Sequence, residues 1–332
     1  MRCRHMKEKE EKNSMKKKIF VTRKIPEAGI EKLKKIFDVE ISRFDRNLTK
    51  DEIIEMTAGA EGMASMASDT IDRHLIDRLP SVRIIANYAV GFDNIDIEYA
   101  GERGIVVTNT PGVLTPATAD IAMSLILCIA RRIVEGDRLM RRGEFKGFSP
   151  TFFLGVELEN KVLGIYGMGR IGKAVAKKAV NFGLRIIYHD IVPCEGGSTG
   201  YSAQYVSFDE LLEKSDFLSI HAPLTEETYH RFTQREFKKM KKEAFLINTA
   251  RGPLVKEDDL VLALKEGWIA GTGLDVYEFE PKVHPGLISL DNVVLLPHIG
   301  SATIEVRERM SIMVADNLIA FFKGEPPPNR VN

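Results

Sequence analysis

Cysteine is scarce. The three residues, Cys3, Cys128 and Cys194, lie far apart in 332 with no CxxC pair. Such spacing argues against a disulfide framework and a cysteine-based zinc site, predicts no metal, and fits a reducing, cytoplasmic setting. An excess of either charge is also missing, since Lys plus Arg and Asp plus Glu both total 47. A grip on a polyphosphate backbone normally shows as a basic excess or stripe, so nucleic acid is not an expected partner. Long apolar runs are absent as well. The longest, 121–130, is interrupted by Ser124 and falls well short of the about 20 residues a membrane span needs. It reads as a buried helix, and a membrane is not an expected partner. Neither a repeat nor a low-complexity linker is visible.

Residues 1–18 carry charge (Lys7 to Lys12, then Lys16 to Lys18) and no apolar stretch of the kind a signal peptide needs. They are predicted to be a disordered, dispensable tail, because ordering them would cost entropy with little burial in return. Met15, just ahead of the first predicted strand, is a second candidate start.

What is present is length and alternation. A chain of 332 residues with 44% apolar content can bury the cores of two domains. Short β-rich runs at 19–22, 39–42, 63–66, 83–87 and 105–108 alternate with helix-like stretches. The first helix opens with Pro26, and Thr49 to Glu52 has the form of a capping box that starts the second. A long helix is predicted from Pro116 to Arg142, its first half apolar all round and so expected to be buried on every side. A second series follows, with strands at 162–166, 184–189, 217–221, 244–248, 269–275 and 293–296, and a final helix over 303–323. Strands alternating with helices predict parallel sheets covered on both faces.

Gly167-Met168-Gly169-Arg170-Ile171-Gly172 directly follows one predicted strand and opens a helix. In that position Gly167 permits a tight turn, Gly169 lets the backbone approach a pyrophosphate, and Gly172 lets helix and strand pack closely. The helix N-terminus offers free N–H groups to the same anion. Asp190 ends the next strand. A carboxylate there accepts hydrogen bonds from adenosine ribose hydroxyls and repels a 2′-phosphate, while Ile191, Val192 and Pro193 supply no positive charge. The expected cofactor is NAD.

Four further segments complete a pattern: 87–96 (NYAVGFDNID), 248–252 (NTARG), 273–281 (GLDVYEFEP) and 297–303 (PHIGSAT). With the glycine loop between them, they resemble the D-2-hydroxyacid dehydrogenase family in order and spacing from about residue 19 onward, the glyoxylate/hydroxypyruvate reductase branch most of all. The resemblance implies an α/β fold of two lobes of doubly wound parallel sheet, a Rossmann-type nucleotide lobe inserted in a flavodoxin-like substrate lobe. Residues 19–112 plus 299–332 would form the substrate lobe and 113–298 the NAD-binding lobe. The active site would lie in the cleft, and the helix starting near Pro116 would help form a homodimer.

Reducing a small 2-oxo acid requires a grip on the carboxylate, a proton for the carbonyl oxygen and a hydride for the carbon. Arg251, just after a strand and in the matching Thr-Ala-Arg-Gly context, is the candidate grip, since its planar fork matches a carboxylate. The resemblance adds the backbone of Val90 and Gly91 as the second half of that grip. Of seven histidines, His298 is the acid–base candidate. It ends a strand in a turn flanked by Pro297 and Gly300, whereas His5 lies in the tail and His74 and His230 fall in polar helical surroundings. His298 is a candidate for substrate and cofactor contact as well. The family motif places a carboxylate just before a proline, which selects Glu280 over Glu278 as its partner. It also implies that Asp275 faces the nicotinamide amide, that His221 stands beside the cofactor, and that Arg170, Ile171, Pro223, Thr249, Ala250 and Gly300 line its site together with Arg251.

Three rivals share the fold. Formate dehydrogenases resemble a version in which the histidine partner is not a carboxylate. A 3-phosphoglycerate dehydrogenase needs extra cations for its phosphate, yet the loop after the third strand reads Met66-Ala67-Ser68-Asp69, leaving only Arg23 and Lys24 nearby. With so little sequence after Pro328, the added regulatory domain that many phosphoglycerate enzymes carry is not expected, although short forms exist. NAD-sensing corepressors bind without turning over, and no partner-binding extension is evident.

Overall fold

The computed structural model describes residues 16–193 and 202–332. Cys3, His5, Met15, Cys194 and nearly all of the predicted tail lie outside the described residues. The chain forms two compact units, one running to Val113 and resuming over Thr303–Asn332, the other spanning Leu114–Ala302.

The first unit is built on β1 (Lys18–Val21), β2 (Asp38–Ile41), β3 (Gly62–Met66), β4 (Ile84–Tyr88) and β5 (Val106–Thr108), all parallel in the order β2-β1-β3-β4-β5. This is the flavodoxin-like order. β1 opens at Lys18 and Lys17 pairs with Glu61 at 2.6 Å, so both residues belong to the fold and not to the tail. The β4 residues are buried without exception, as a central parallel strand covered on both faces requires. The Thr49–Glu52 capping box is formed and starts the helix Lys50–Met56. The helix Ile304–Phe322 returns from the far end of the sequence to pack on the helix Glu27–Lys34 and on β4.

The second unit carries β6 (Val162–Tyr166), β7 (Arg185–His189), β8 (Ala203–Tyr205), β9 (Phe217–Ile220), β10 (Phe245–Asn248), β11 (Gly271–Leu274) and β12 (Val293–Leu295). They are parallel in the order β12-β11-β10-β9-β6-β7-β8. The first three strands build one way from β6 and the rest build the other way from β9. Such a reversal leaves a crevice at the strands' carboxyl ends, where doubly wound sheets bind ligands. β8 has no counterpart in the sequence reading.

The helix expected from Pro116 to Arg142 is two helices, Thr115–Ala130 and Ile133–Arg141. Arg132 adopts a left-handed conformation (φ 54°) at the break. A distant segment caps the first helix: the Val156 amide donates to the Ala130 carbonyl at 2.7 Å, and Gly155 lies against the same backbone. Burial on every side is corrected too. Ala119, Ala122, Met123, Leu125 and Ile126 are buried, but Asp120 and Ser124 are exposed and Asp120 pairs with Lys178 at 2.8 Å.

Candidate active site

The glycine loop leaves β6 at the reversal point, and its three glycines do three different jobs. Gly167 has φ +94°, and a Cβ on it would stand 2.6 Å from the Ala222 amide nitrogen. A Cβ on Gly172 would meet the Gly167 carbonyl oxygen at 2.3 Å, whereas one on Gly169 would point into open space. Gly169 is the N-cap of the helix Arg170–Ala179 and offers no side-chain cap to its amides. Arg170 is exposed and Ile171 half-buried in the first turn. The loop thus has room for an anion at the one glycine aimed away from its own fold.

Asp190 follows β7. One oxygen accepts from the Met168 amide of the glycine loop at 2.7 Å and the other from Ile191 N–H at 2.7 Å. The next two side chains, Ile191 and Val192, are exposed and apolar.

β9 and β10 run in register with Asn248 beside Ile220, so His221 and Thr249 follow at neighbouring strand ends. Both hold a buried polar atom, His221 Nδ1 and Thr249 Oγ1, with no hydrogen-bond partner. The other ring nitrogen of His221 lies 2.8 Å from Ser219 Oγ. Burial drives the His221 pKa down to about 3, so the ring is neutral. Pro223 is exposed and its carbonyl accepts from Thr228 Oγ1. An open cradle at Gly169, an uncapped helix N-terminus and two orphaned polar atoms at adjacent strand ends fit a dinucleotide laid along these edges.

Asn248 shapes the next turn. Its side chain accepts from Ala250 N–H at 3.0 Å and donates to the Arg251 carbonyl at 2.9 Å. Arg251 Nη1 donates to the Ala250 carbonyl. Gly252 is what lets this turn approach the following loop, since a Cβ there would stand 1.9 Å from the Tyr277 carbonyl. That loop carries Glu280. One Glu280 oxygen accepts from Tyr277 N–H at 3.1 Å, and the other lies 2.8 Å from His298 Nδ1. Partial burial pushes the Glu280 carboxyl up. The His298 hydrogen bond and charge, the Tyr277 amide and the charge of Arg251 outweigh it and hold the group below the ordinary carboxylate range.

His298 occupies a left-handed position (φ 54°) in an exposed turn. Asp275 anchors that turn, its two oxygens accepting from Ile299 and Gly300 N–H at 2.7 Å each. Its carboxyl is pushed up by burial, against the pull of these amides and of His298. Gly300 is fixed on the other side by Thr118 Oγ1, which donates to its carbonyl at 3.0 Å. Arg251, Glu280 and His298 therefore belong to one cluster within the second unit.

In the first unit, the loop after β4 holds Val90 and Gly91. Asn109 Nδ2 donates to the Val90 carbonyl at 2.7 Å and Asn87 Nδ2 to the Gly91 carbonyl at 3.0 Å. Asp69 is not an open acid facing a ligand. It is buried, accepts from Thr22 Oγ1 and Met66 N–H, and closes the loop after β3, with burial pushing its carboxyl up. Arg23 is engaged by Asp45 and Asn47. His230 lies in a turn, not a helix, and pairs with Glu278. Sequence reading missed that pair because its two members are far apart in the chain, His230 sits in no motif, and the family motif selects Glu280 over Glu278.

Comparison with known proteins gives the class. Residues 123–300 match the family described as D-isomer specific 2-hydroxyacid dehydrogenase, NAD binding domain. A glyoxylate reductase of Thermococcus litoralis is 51% identical over 322 residues, 96% of this chain and 97% of the relative. Among solved structures, a protein of Thermus thermophilus superposes with a TM-score of 0.89 at 42% identity, covering 95% of this chain and all of the other. An NADPH-dependent glyoxylate/hydroxypyruvate reductase of Sinorhizobium meliloti, solved with NADP and malonate, gives 0.86 at 34% identity over 95% of this chain and 97% of that one. The chain belongs to the D-2-hydroxyacid dehydrogenase family. It is a nicotinamide-dependent oxidoreductase, and its second unit is the dinucleotide-binding domain. Among the described residues no helix is long and apolar enough to cross a membrane.

Proposed function

We propose that this enzyme uses NADH to reduce glyoxylate or hydroxypyruvate to the D-2-hydroxy acid. The observation that carries the reading is the Glu280–His298 pair, 2.8 Å apart, with the Arg251 turn held against the same loop. The relatives named as glyoxylate and hydroxypyruvate reductases support the substrate class.

Arg251 holds the substrate carboxylate with its guanidinium fork. Val90 and Gly91 add backbone N–H groups, a role supported by the way Asn109 and Asn87 tie up their carbonyls. His298 donates a proton to the carbonyl oxygen through Nε2, while Glu280 fixes the ring by its Nδ1. When bound, the nicotinamide supplies the hydride that reaches the carbonyl carbon. Gly167, Gly169 and Gly172 with Arg170 and Ile171 would hold the pyrophosphate, and His221, Pro223, Thr249, Ala250, Asp275 and Gly300 the nicotinamide end.

The choice of NAD over NADP rests on Asp190 and on the apolar Ile191 and Val192 beside it. A homodimer is part of the same reading, formed through the helix Thr115–Ala130 and the segment 131–154 after it. Ile133, Met140, Phe145, Phe148, Phe152 and Leu154 are all exposed there, more apolar surface than a lone subunit normally leaves in water. Phe148→Glu is then expected to shift the mass in sedimentation toward the monomer. A cytoplasmic site of action suits a chain so poor in cysteine.

The deciding experiment follows NADH oxidation with glyoxylate, hydroxypyruvate and 3-phosphohydroxypyruvate. Arg23 is taken by Asp45, and no base stands in the 66–69 loop. The first two acids are therefore expected to exceed the phosphorylated one in kcat/KM by at least about tenfold, or about 1.4 kcal/mol. A preference for the phosphorylated acid would move the enzyme to the phosphoglycerate branch. NADH binding without oxidation by any acid would favour an NAD sensor.

A further inference from the structure

Beside the Glu280–His298 pair lies a second histidine–carboxylate pair that the reaction does not use. His230 Nε2 lies 2.6 Å from Glu278 Oε1, and the Glu278 side chain is only 7% exposed. The other Glu278 oxygen accepts from Glu257 N–H at 2.9 Å, and Glu257 returns the bond, its Oε1 accepting from Glu278 N–H at 2.9 Å. Glu257 is itself buried and opens the helix Glu257–Lys265. His230 also donates its backbone N–H to the Pro253 carbonyl at 2.8 Å, an arrangement reached through a left-handed backbone (φ 50°). The Tyr229 ring stacks on the His230 ring at 4.0 Å and covers it.

Three segments therefore meet at one residue, His230: its own turn after β9, the Arg251-Gly252-Pro253 turn on its backbone N–H, and the loop Tyr277–Glu280 on its ring. We infer that His230 and Glu278 are positioning residues that fix the turn bearing Arg251 against the loop bearing Glu280. The close approach at Gly252 brings the two backbones together but sets no direction along them. Hydrogen bonds to a buried carboxylate do, because each has a preferred length and angle and leaving one unmade is costly. The consequence is kinetic. The carboxylate grip and the partner of the proton donor must keep their separation through the reaction, and a displacement of about 1 Å can cost about 10²-fold in rate.

This inference rests on the roles proposed for Arg251 and Glu280, so its test has one arm that needs no substrate. Amide hydrogen exchange of residues 251–257 and 277–281 is expected to quicken in both segments in His230→Ala, and unchanged exchange overturns the latch. In turnover, His230→Ala is expected to lower kcat/KM for the 2-oxo acid by at least about tenfold, with NADH affinity unchanged within about twofold. His230→Gln, whose amide nitrogen reaches to where Nε2 stands, is expected to recover most of that loss. Equal impairment of the Ala and Gln variants, or a fall in Tm with normal kcat/KM, overturns the positioning role. Faster exchange in these two segments with both Tm and kcat/KM unaltered would keep the tie between the segments and overturn the roles of Arg251 and Glu280. If His230→Ala does not fold, Glu278→Gln carries the same comparison, and kcat/KM equal to that of the unmodified enzyme overturns the inference.

Discussion

His298 and Glu280 share a single hydrogen bond, Nδ1 to Oε2 at 2.8 Å, and Glu280 is oriented in turn by the Tyr277 amide on its other oxygen. The imidazole is thereby held by Nδ1, and Nε2 is the nitrogen proposed for proton transfer. Asp275 sets the backbone of the same turn. Each group in this chain orients the next.

Replacing His298 with Ala is expected to lower turnover by about 10²–10⁴-fold, the range of general acid catalysis. NADH affinity should be retained, because the glycine loop and Asp190 are untouched. Stopped-flow reduction and fluorescence titration of NADH check the two halves separately. His221 is no substitute donor, since burial keeps it neutral and Ser219 occupies its Nε2.

Changing Glu280 to Gln keeps the shape of the side chain and removes the carboxylate that orients the His298 ring. The kcat/KM for reduction is expected to fall, and an unchanged kcat/KM would dissociate the two groups. Stability should change as well. The Glu280 carboxyl is held below its ordinary range, so its contribution is fully present above that range and is lost as pH falls through the lowered value. The Gln variant should lack that acid-side loss in Tm.

Asp190 is expected to impose a strong preference for NADH over NADPH, and Asp190→Ser to weaken it. The same variant removes an acceptor from the Met168 amide, so NADH affinity should fall together with discrimination. The ratio of kcat/KM values for the two cofactors, before and after substitution, is the measurement. Comparable efficiencies in the unmodified enzyme would refute the role.

His221 gives a pH dependence of stability. The unfolded imidazole takes up its proton near pH 6.5, while the folded one resists until about 3. Between those values the unfolded state binds more protons, so stability falls as the solution is acidified through that window. Melting curves of His221→Asn should show a shallower acid loss there than the unmodified protein. Parallel curves would mean that the ring is not buried in solution.

How much of this was legible in the residues depends on where each signal lies. The apolar strands, the capping box at Thr49 and the glycine loop announce themselves within a few positions, because their physics is local. β8 does not, being a three-residue edge strand with Gln204 and Tyr205 exposed and no apolar pattern to read. The break at Arg132 is invisible from 116–142 because its cause, the Val156 amide, lies outside that stretch. Asp69 reads as a loop acid until its partners Thr22 and Met66 show it to be buried. Arg251 and His298 could be named as candidates from their strand-end positions with help from the resemblance, and Glu280 only through it, since the proximity of the three arises from separate strand ends.

The left-handed backbone of His298 carries a consequence for anyone altering this enzyme. A non-glycine residue with φ near +54° bears a strain of about 1–2 kcal/mol, which glycine or asparagine at the same position would relieve in large part. Directed evolution under heat alone would therefore favour discarding the imidazole, and the hardiest clones in such a library would be inactive. Selection at this turn must be scored by product formed.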